Sequence, residues 1–386
     1  MVHRAIAAAL AVGVSFAAFA AGPALADIKV GYTLSATGSA AALGVPQKNG
    51  VALLPKEIAG EKIEYIVLDD ASDGTKAVAN ARKMITEDKI DVLVGSSIAP
   101  TSFPLVDIAA ENKLPLIAIT ASTGLIAPMD DKRHWVFKVV QNDSLMANAV
   151  ADEMQKRGVK TVGFIGFNDA YGDGWYKEFS AAAEKRGIKI VAKEAFARAD
   201  TSVTGQTLKL IAAKPDVVLV AASGTPAVLP QKALKERGYK GQIYQTHGIS
   251  TKEFIRVGGK DVESTIFPAG PFIMAEKLPD DSPVKPVALD TTNRYIEIFN
   301  QPPAAFAAHS VDAVLLLQAA IPVALKVAKP GTPEFRVALR DALENVKDVP
   351  LNHGVTTMTP TDHNGFDERA RVMVVIRNGE WELLED

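Results

Sequence analysis

The chain has 386 residues, with 42 Lys+Arg, 45 Asp+Glu, six His and no Cys. The absence of cysteine excludes a disulfide framework and any thiolate metal site. A formal net charge of −3 gives no basic footprint for nucleic acid.

Residues 1–26 combine a short basic start at Arg4, an apolar run from Ala5 to Ala21 and the small-residue pattern Ala24-Leu25-Ala26 before Asp27. This is the pattern of an export signal; Gly13, Ser15 and the Gly22-Pro23 pair favour cleavage over a retained anchor. Cleavage removes one charge, leaving 41 Lys+Arg against 45 Asp+Glu and a formal charge of −4 over 360 residues. At roughly 100–200 residues per domain that length predicts two domains. No later apolar segment is expected to reach ~20 residues free of charges and helix breakers, so the exported chain is expected to stay in solution.

Short β-rich runs then alternate with helical patterns, the signature of parallel α/β layers. The first unit reads "IKVGYTL", "KIEYIVLD", "DVLVGS" and "LPLIAIT", with helices predicted over 41–58, 75–88 and 99–112. After "HWVFKVVQND" a second unit begins: "TVGFIGF", "IKIVAKEAF", "DVVLVAAS", "GQIYQTH" and "ESTIFPA", with helices over 144–157, 174–186, 204–213 and 226–237. Residues 270–350 are Pro-rich and mainly helical, with the apolar stretch "AFAAHSVDAVLLLQAAIPVALKVA", and need the first unit to pack on. "RVMVVIRNGEWELLE" reads as two strands joined at Asn378-Gly379, a favoured two-residue hairpin signal. The expected lobes are therefore 27–139 plus 271–355 and 140–270 plus 356–386, tied by several crossings that allow hinging but not separation.

A search for catalytic chemistry finds no G-x-S-x-G elbow, no P-loop and no G-x-G-x-x-G after the first strand. The histidines have no metal-ligand spacing. "TPTDHNGFDER" has part of a calcium loop at Asp362, Asn364 and Gly365, but Met373 stands where the closing glutamate belongs, so a polar turn is expected. No cofactor is expected.

The informative segments are strand ends, where open α/β sheets bind ligands and helix N-termini offer free N–H groups. "VGSSIAPTSFP" exposes the backbone of Ser97, Ile98 and Ala99, and "ITASTG" offers Thr120 and Ser122 hydroxyls beside Ala121. "FNDAYGDGW" presents the Tyr171 ring and hydroxyl, and "IYQTHGIS" presents His247. Each hydroxyl is alternatively a helix cap or turn residue, and His247 alternatively a solvated loop histidine. Phe272, Phe306 and Trp175 are aromatic walls or ordinary core.

As a set, "IKVGYTLSATGSAAALG", "VLVGSSIAPTSFPLVDIAAENKLPLIAITAST", "VGFIGFNDAYGDGW" and "DVVLVAASGTPAVLPQKALKERGYKGQIYQTHG" resemble the type I solute-binding proteins of bacterial ABC importers, in the Leu/Ile/Val-binding family. The resemblance implies a periplasmic receptor without catalytic activity, α/β with two doubly wound Rossmann-like lobes and a three-crossing hinge. It further implies a monomer that hands a small ligand to membrane permease subunits. The carboxylate-binding hydroxyl of the family falls on Ala99, which keeps only its N–H, with Ser97 close by. The following pair falls on Thr120 and Ser122, and the tyrosine of the second lobe on Tyr171. Wall positions fall on Leu43 and on Ser223–Gly224, so Gly224 belongs to the expected site. His247 stands in the loop where amino-acid binders supply an acid for the ligand's α-ammonium. An unpaired buried ammonium is costly, so the expected ligand is a small carboxylate without an essential amine, of benzoate or hydroxycinnamate type. The alternatives are a branched-chain amino-acid receptor, an enzyme using His247 as base, and a sensory module on the same fold.

Overall fold

A computed structural model of the chain describes residues 27–385; the expected export signal lies outside them. Strands β1 (Ile28–Leu34), β2 (Glu57–Ile58), β3 (Glu61–Asp69), β4 (Val92–Gly95), β5 (Leu116–Ala118) and β6 (Val136–Lys138) form a six-stranded sheet in the order β2-β3-β1-β4-β5-β6. All neighbours are parallel except β2 with β3. The connecting helices are α1 (Ala41–Val51), α2 (Gly74–Lys83) and α3 (Ala99–Glu111). Helix α1 ends seven residues before its predicted limit, and Glu57–Ile58 is strand. Pro55 disfavours helix at the residue before it and cannot extend a helix itself.

The second sheet contains β7 (Thr161–Phe167), β8 (Lys189–Phe196), β9 (Val217–Ala221), β10 (Gln242–Gln245) and β11 (Ile266–Ala269). Its helices are α4 (Asp143–Lys156), α5 (Ala170–Glu184), α6 (Thr204–Ala212), α7 (Val228–Glu236) and α8 (Lys252–Gly258). Helix α5 starts four residues earlier than predicted because Asp169 caps it, its Oδ1 accepting from Tyr171 N and Gly172 N.

The chain then returns to the first lobe as α9 (Val284–Phe299), α10 (Ala305–Ala324) and α11 (Pro333–Glu344), followed by a small hairpin, β12 (Val349–Leu351) and β13 (Gly354–Thr356). It finishes in the second lobe with β14 (Val372–Arg377) and β15 (Glu380–Leu383), antiparallel and extending the sheet order to β15-β14-β11-β10-β9-β7-β8. Asn378 and Gly379 both take positive φ, 53° and 73°, as a type I′ hairpin turn requires.

Apolar residues of β1, β4 and β5 pack with α10 and α11 on one face of the first sheet, and those of β4 and β5 with α2 and α3 on the other. Helix α10 is long and apolar enough to cross a membrane by length and composition, though it carries Asp312 and Pro322. Its burial on the first sheet, on both sides of Asp312, explains that composition as a core helix's.

Between β6 and α4, after β11, and between β13 and β14, the chain passes from one sheet to the other. Side chains lace these passages: Asn364 Nδ2 donates to the Lys138 and Val140 carbonyls, and Gln141 Nε2 to those of His353 and Ala370. The "TPTDHNGFDER" segment is thus more than a polar turn. Asp362 turns the chain by accepting from Asn364 N and Gly365 N, while His363 and Asn364 are buried against β6.

Candidate functional site

In each sheet the strand order reverses once, between β1 and β4 in the first and between β7 and β9 in the second. Loops diverge at such points and leave a crevice beyond the strand ends. The two crevices face each other around a small, partly open cavity. The first lobe lines it with Leu43, Ser97, Ile98, Ile119, Thr120, Ala121, Phe306 and His309. The second lobe contributes Tyr171, Arg198, Ser223, His247 and Gly248, and Val140 comes from the first hinge passage.

Of the ten residues singled out from the sequence, Leu43, Ser97, Ile98, Thr120, Ala121, Tyr171 and His247 line this cavity; Ala99, Ser122 and Gly224 do not. Ala99 is fully buried and packs into the apolar cluster of the second lobe. Ser122 is buried beside Gly174 and Asp143. Gly224, at φ +62°, backs onto Leu43 so closely that a Cβ would lie 2.9 Å from its Cδ1, which leaves Ser223 as the lining residue. Among the aromatics, Phe306 lines the cavity, Trp175 is buried behind His247 with ring centroids 5.8 Å apart, and Phe272 packs in a separate cluster around α9.

The first-lobe donors are small and prearranged. Ser97 Oγ accepts from Ser35 N at 2.9 Å, so its O–H is free to donate into the cavity. Helix α3 begins here with Ile98 as N-cap and no side-chain cap, leaving its positive end to the crevice.

Tyr171 behaves differently from expectation. Its hydroxyl lies 2.8 Å from Thr246 Oγ1, and Thr246 spends its single proton on the Ala222 carbonyl at 2.7 Å. The tyrosine must therefore donate to Thr246, and toward a ligand it offers a ring face and an acceptor only.

Sequence reasoning missed Arg198, in the loop after edge strand β8. It donates from Nε to Asp169 at 2.6 Å and from Nη1 to Ser223 Oγ at 3.2 Å, with its Cζ 4.0 Å from the Phe167 ring centroid. Its Nη2 is buried and has no hydrogen-bond partner among the described residues. The only local signal was "EAFARAD", an arginine just past a strand end, which any surface arginine would match.

Below the cavity, Lys138 and Asp143 are fully buried on either side of the first hinge passage. Lys138 Nζ donates to the Ala121 carbonyl at 2.7 Å, tying that cavity-lining loop to the hinge. Burial pushes Lys138 down to about 7 and Asp143 up to about 7, each opposed by the other's charge.

His247 is 8% exposed, and its Nδ1 is buried without a partner among the described residues. Burial first, then the positive charge of Lys138, pulls it down to about 3, so it is a neutral imidazole at physiological pH. Among the described residues no group of three His, Cys, Asp or Glu side chains is arranged to hold a metal.

Two α/β lobes meeting over a small cavity at their strand ends define a solute-capturing binding protein. The periplasmic binding protein family model matches residues 27–380, and the chain belongs to that family. A solved extracellular ligand-binding receptor from Rhodopseudomonas palustris HaA2 is 55% identical, covering 93% of this chain and 100% of its own, at a TM-score of 0.91. The Leu/Ile/Val-binding protein BraC3 of Rhizobium johnstonii is 28% identical over 345 residues, 87% of this chain and 88% of the relative. The isoleucine complex of LivJ from Streptococcus pneumoniae shares the fold at a TM-score of 0.74 and 22% identity, over 92% of this chain and 98% of that one.

Proposed function

We propose that this protein is the periplasmic substrate-binding component of an ABC importer, and that it captures a small carboxylate lacking an essential α-amine, of aromatic-acid type. The lobes, 27–139 plus 271–355 and 140–270 plus 356–386, close on the ligand about the laced hinge and present it to permease subunits. The observation that carries the ligand class is the charge lining the cavity. Among the described residues it has one guanidinium, Arg198, with a spare N–H, and no Asp or Glu. An arginine pairs with a carboxylate through charge-assisted hydrogen bonds, whereas an ammonium enclosed here meets no opposite charge. Ser97, Thr120 and the backbone at Ile98 add neutral donors, and Leu43, Phe306 and Tyr171 supply apolar and aromatic walls.

The second reading is a branched-chain amino-acid receptor, favoured by the names of the relatives at 24–28% identity. Titration calorimetry of the mature protein against benzoate, 4-hydroxybenzoate, cinnamate, 4-hydroxycinnamate and leucine decides between them. Binding of the aromatic acids with no leucine heat supports the first reading; tight leucine binding with no aromatic-acid heat overturns it.

A further inference from the structure

Three buried imidazoles cluster at the cavity, and each has a ring nitrogen without a partner among the described residues: Nδ1 of His247, Nδ1 of His309 and Nε2 of His353. His309 comes from the start of α10 in the first lobe and His247 from the loop after β10 in the second; both line the cavity and both are more than nine-tenths buried. His353 lies behind His309, its ring centroid 4.5 Å away. An orphaned buried polar atom costs about 1–3 kcal/mol, so the two on histidines that line the cavity call for a ligand or water.

Their proton positions follow from their other contacts. His353 Nδ1 lies 2.7 Å from the Asp312 carboxylate, which also accepts from Asn352, so that nitrogen carries a proton. The Ile119 carbonyl favours an N–H on the other nitrogen of His309, leaving Nδ1 an acceptor. This end of the cavity therefore holds lone pairs that need a donor. A cationic donor is disfavoured, because Lys138 is close enough to depress His247 and no carboxylate side chain among the described residues lines the cavity. What fits is a neutral group that both donates and accepts.

We propose that His247 and His309 form a hydroxyl-reading pole, in which a phenolic O–H of the ligand donates to His309 Nδ1 while its oxygen accepts an N–H of neutral His247. This rests on the aromatic-acid reading above and deepens it: the ligand becomes a hydroxyaryl carboxylate, its acid on Arg198 and its hydroxyl bridging the two lobes. Because the two histidines come from opposite lobes, the bridge forms only on closure.

The test compares benzoate with 4-hydroxybenzoate, and cinnamate with 4-hydroxycinnamate, by titration calorimetry on the wild type, His309→Phe and His247→Phe. His309→Leu and His247→Leu, smaller side chains that neither donate nor accept, serve as second variants. The wild type is expected to prefer the hydroxylated member of at least one pair by tenfold or more. Both Phe variants are expected to reduce that preference below threefold, with circular dichroism reporting that they fold. Equal binding of both members by the wild type, or a preference that survives in the Phe variants or, should those fail to bind either acid, in the Leu variants, overturns the hydroxyl-reading pole alone. Absence of heat from all four acids overturns the aromatic-acid reading itself.

Discussion

The two faces of the cavity are built from the same kind of sheet but carry different chemistry. The first lobe offers hydroxyls, backbone at a helix start, apolar walls and one neutral histidine; the second adds a guanidinium, already paired to Asp169 and held over the Phe167 ring. The difference shows how a hinged receptor divides its work. Small donors on a rigid sheet end orient a ligand at little entropic cost, while a buried charge on the opposite lobe makes closure depend on the ligand's own charge. Removing the second contribution should hurt far more than trimming the first.

The largest expected effect is therefore at Arg198. Truncating one partner of a buried charge-assisted pair costs about 2–5 kcal/mol, so Arg198→Ala is expected to weaken carboxylate binding at least about 30-fold by calorimetry. Arg198→Lys should recover little of it, since an ammonium cannot reproduce the fork to Asp169, Ser223 and the ligand. Equal losses from Arg198→Ala and Thr120→Ala would erase the contrast between lobes.

Acid should expose the buried histidines next. The folded state holds His247 near 3 against 6.5 in the unfolded chain, so between those values the unfolded chain binds more protons and stability falls as pH falls. At 1.36 kcal/mol per unit, lowering the pH from 6.5 to 5 removes about 2 kcal/mol at this site. His309 is depressed in the same direction. Urea unfolding at pH 7.5 and 5.0 should show a smaller drop in His247→Gln than in wild type.

First-lobe truncations come third. Ser97→Ala removes a free O–H donor and orphans Ser35 N, and about 1–1.5 kcal/mol predicts roughly a tenfold weaker Kd. Tyr171→Phe is expected to be the smallest change in affinity, under about threefold, because its proton is spent on Thr246. Its effect should appear instead as about 1 kcal/mol of lost stability in urea. A Tyr171→Phe loss as large as that of Ser97→Ala would show that the hydroxyl serves the ligand after all.

Much of the fold was legible in the sequence because its signals are local. Strand β7 begins and ends where "TVGFIGF" does, β14 and β15 meet at Asn378-Gly379, and the helices over 99–112 and 204–213 are within a residue or two of their predicted ends. The misses are equally local in cause: Pro55 stopped α1 and the Asp169 cap brought α5 forward. Strand-end loops could be recognised as a site because α/β sheets bind ligands there whatever the side chains. Which atoms in those loops face inward was not legible. Ala99 turned into the opposite lobe's core, Ser223 replaced Gly224 as lining, and the proton of Tyr171 was committed to a residue 75 positions away.

The sequence by itself determined two α/β units, the returning helices and the loops that meet, since hydrophobic periodicity and turn chemistry act over a few residues. Only the tertiary structure decided the electrostatics of the cavity. Arg198, His309 and Phe306 enter it from distant segments, and a neutral His247 and a buried Lys138–Asp143 pair follow from desolvation, which depends on what every other segment packs above them.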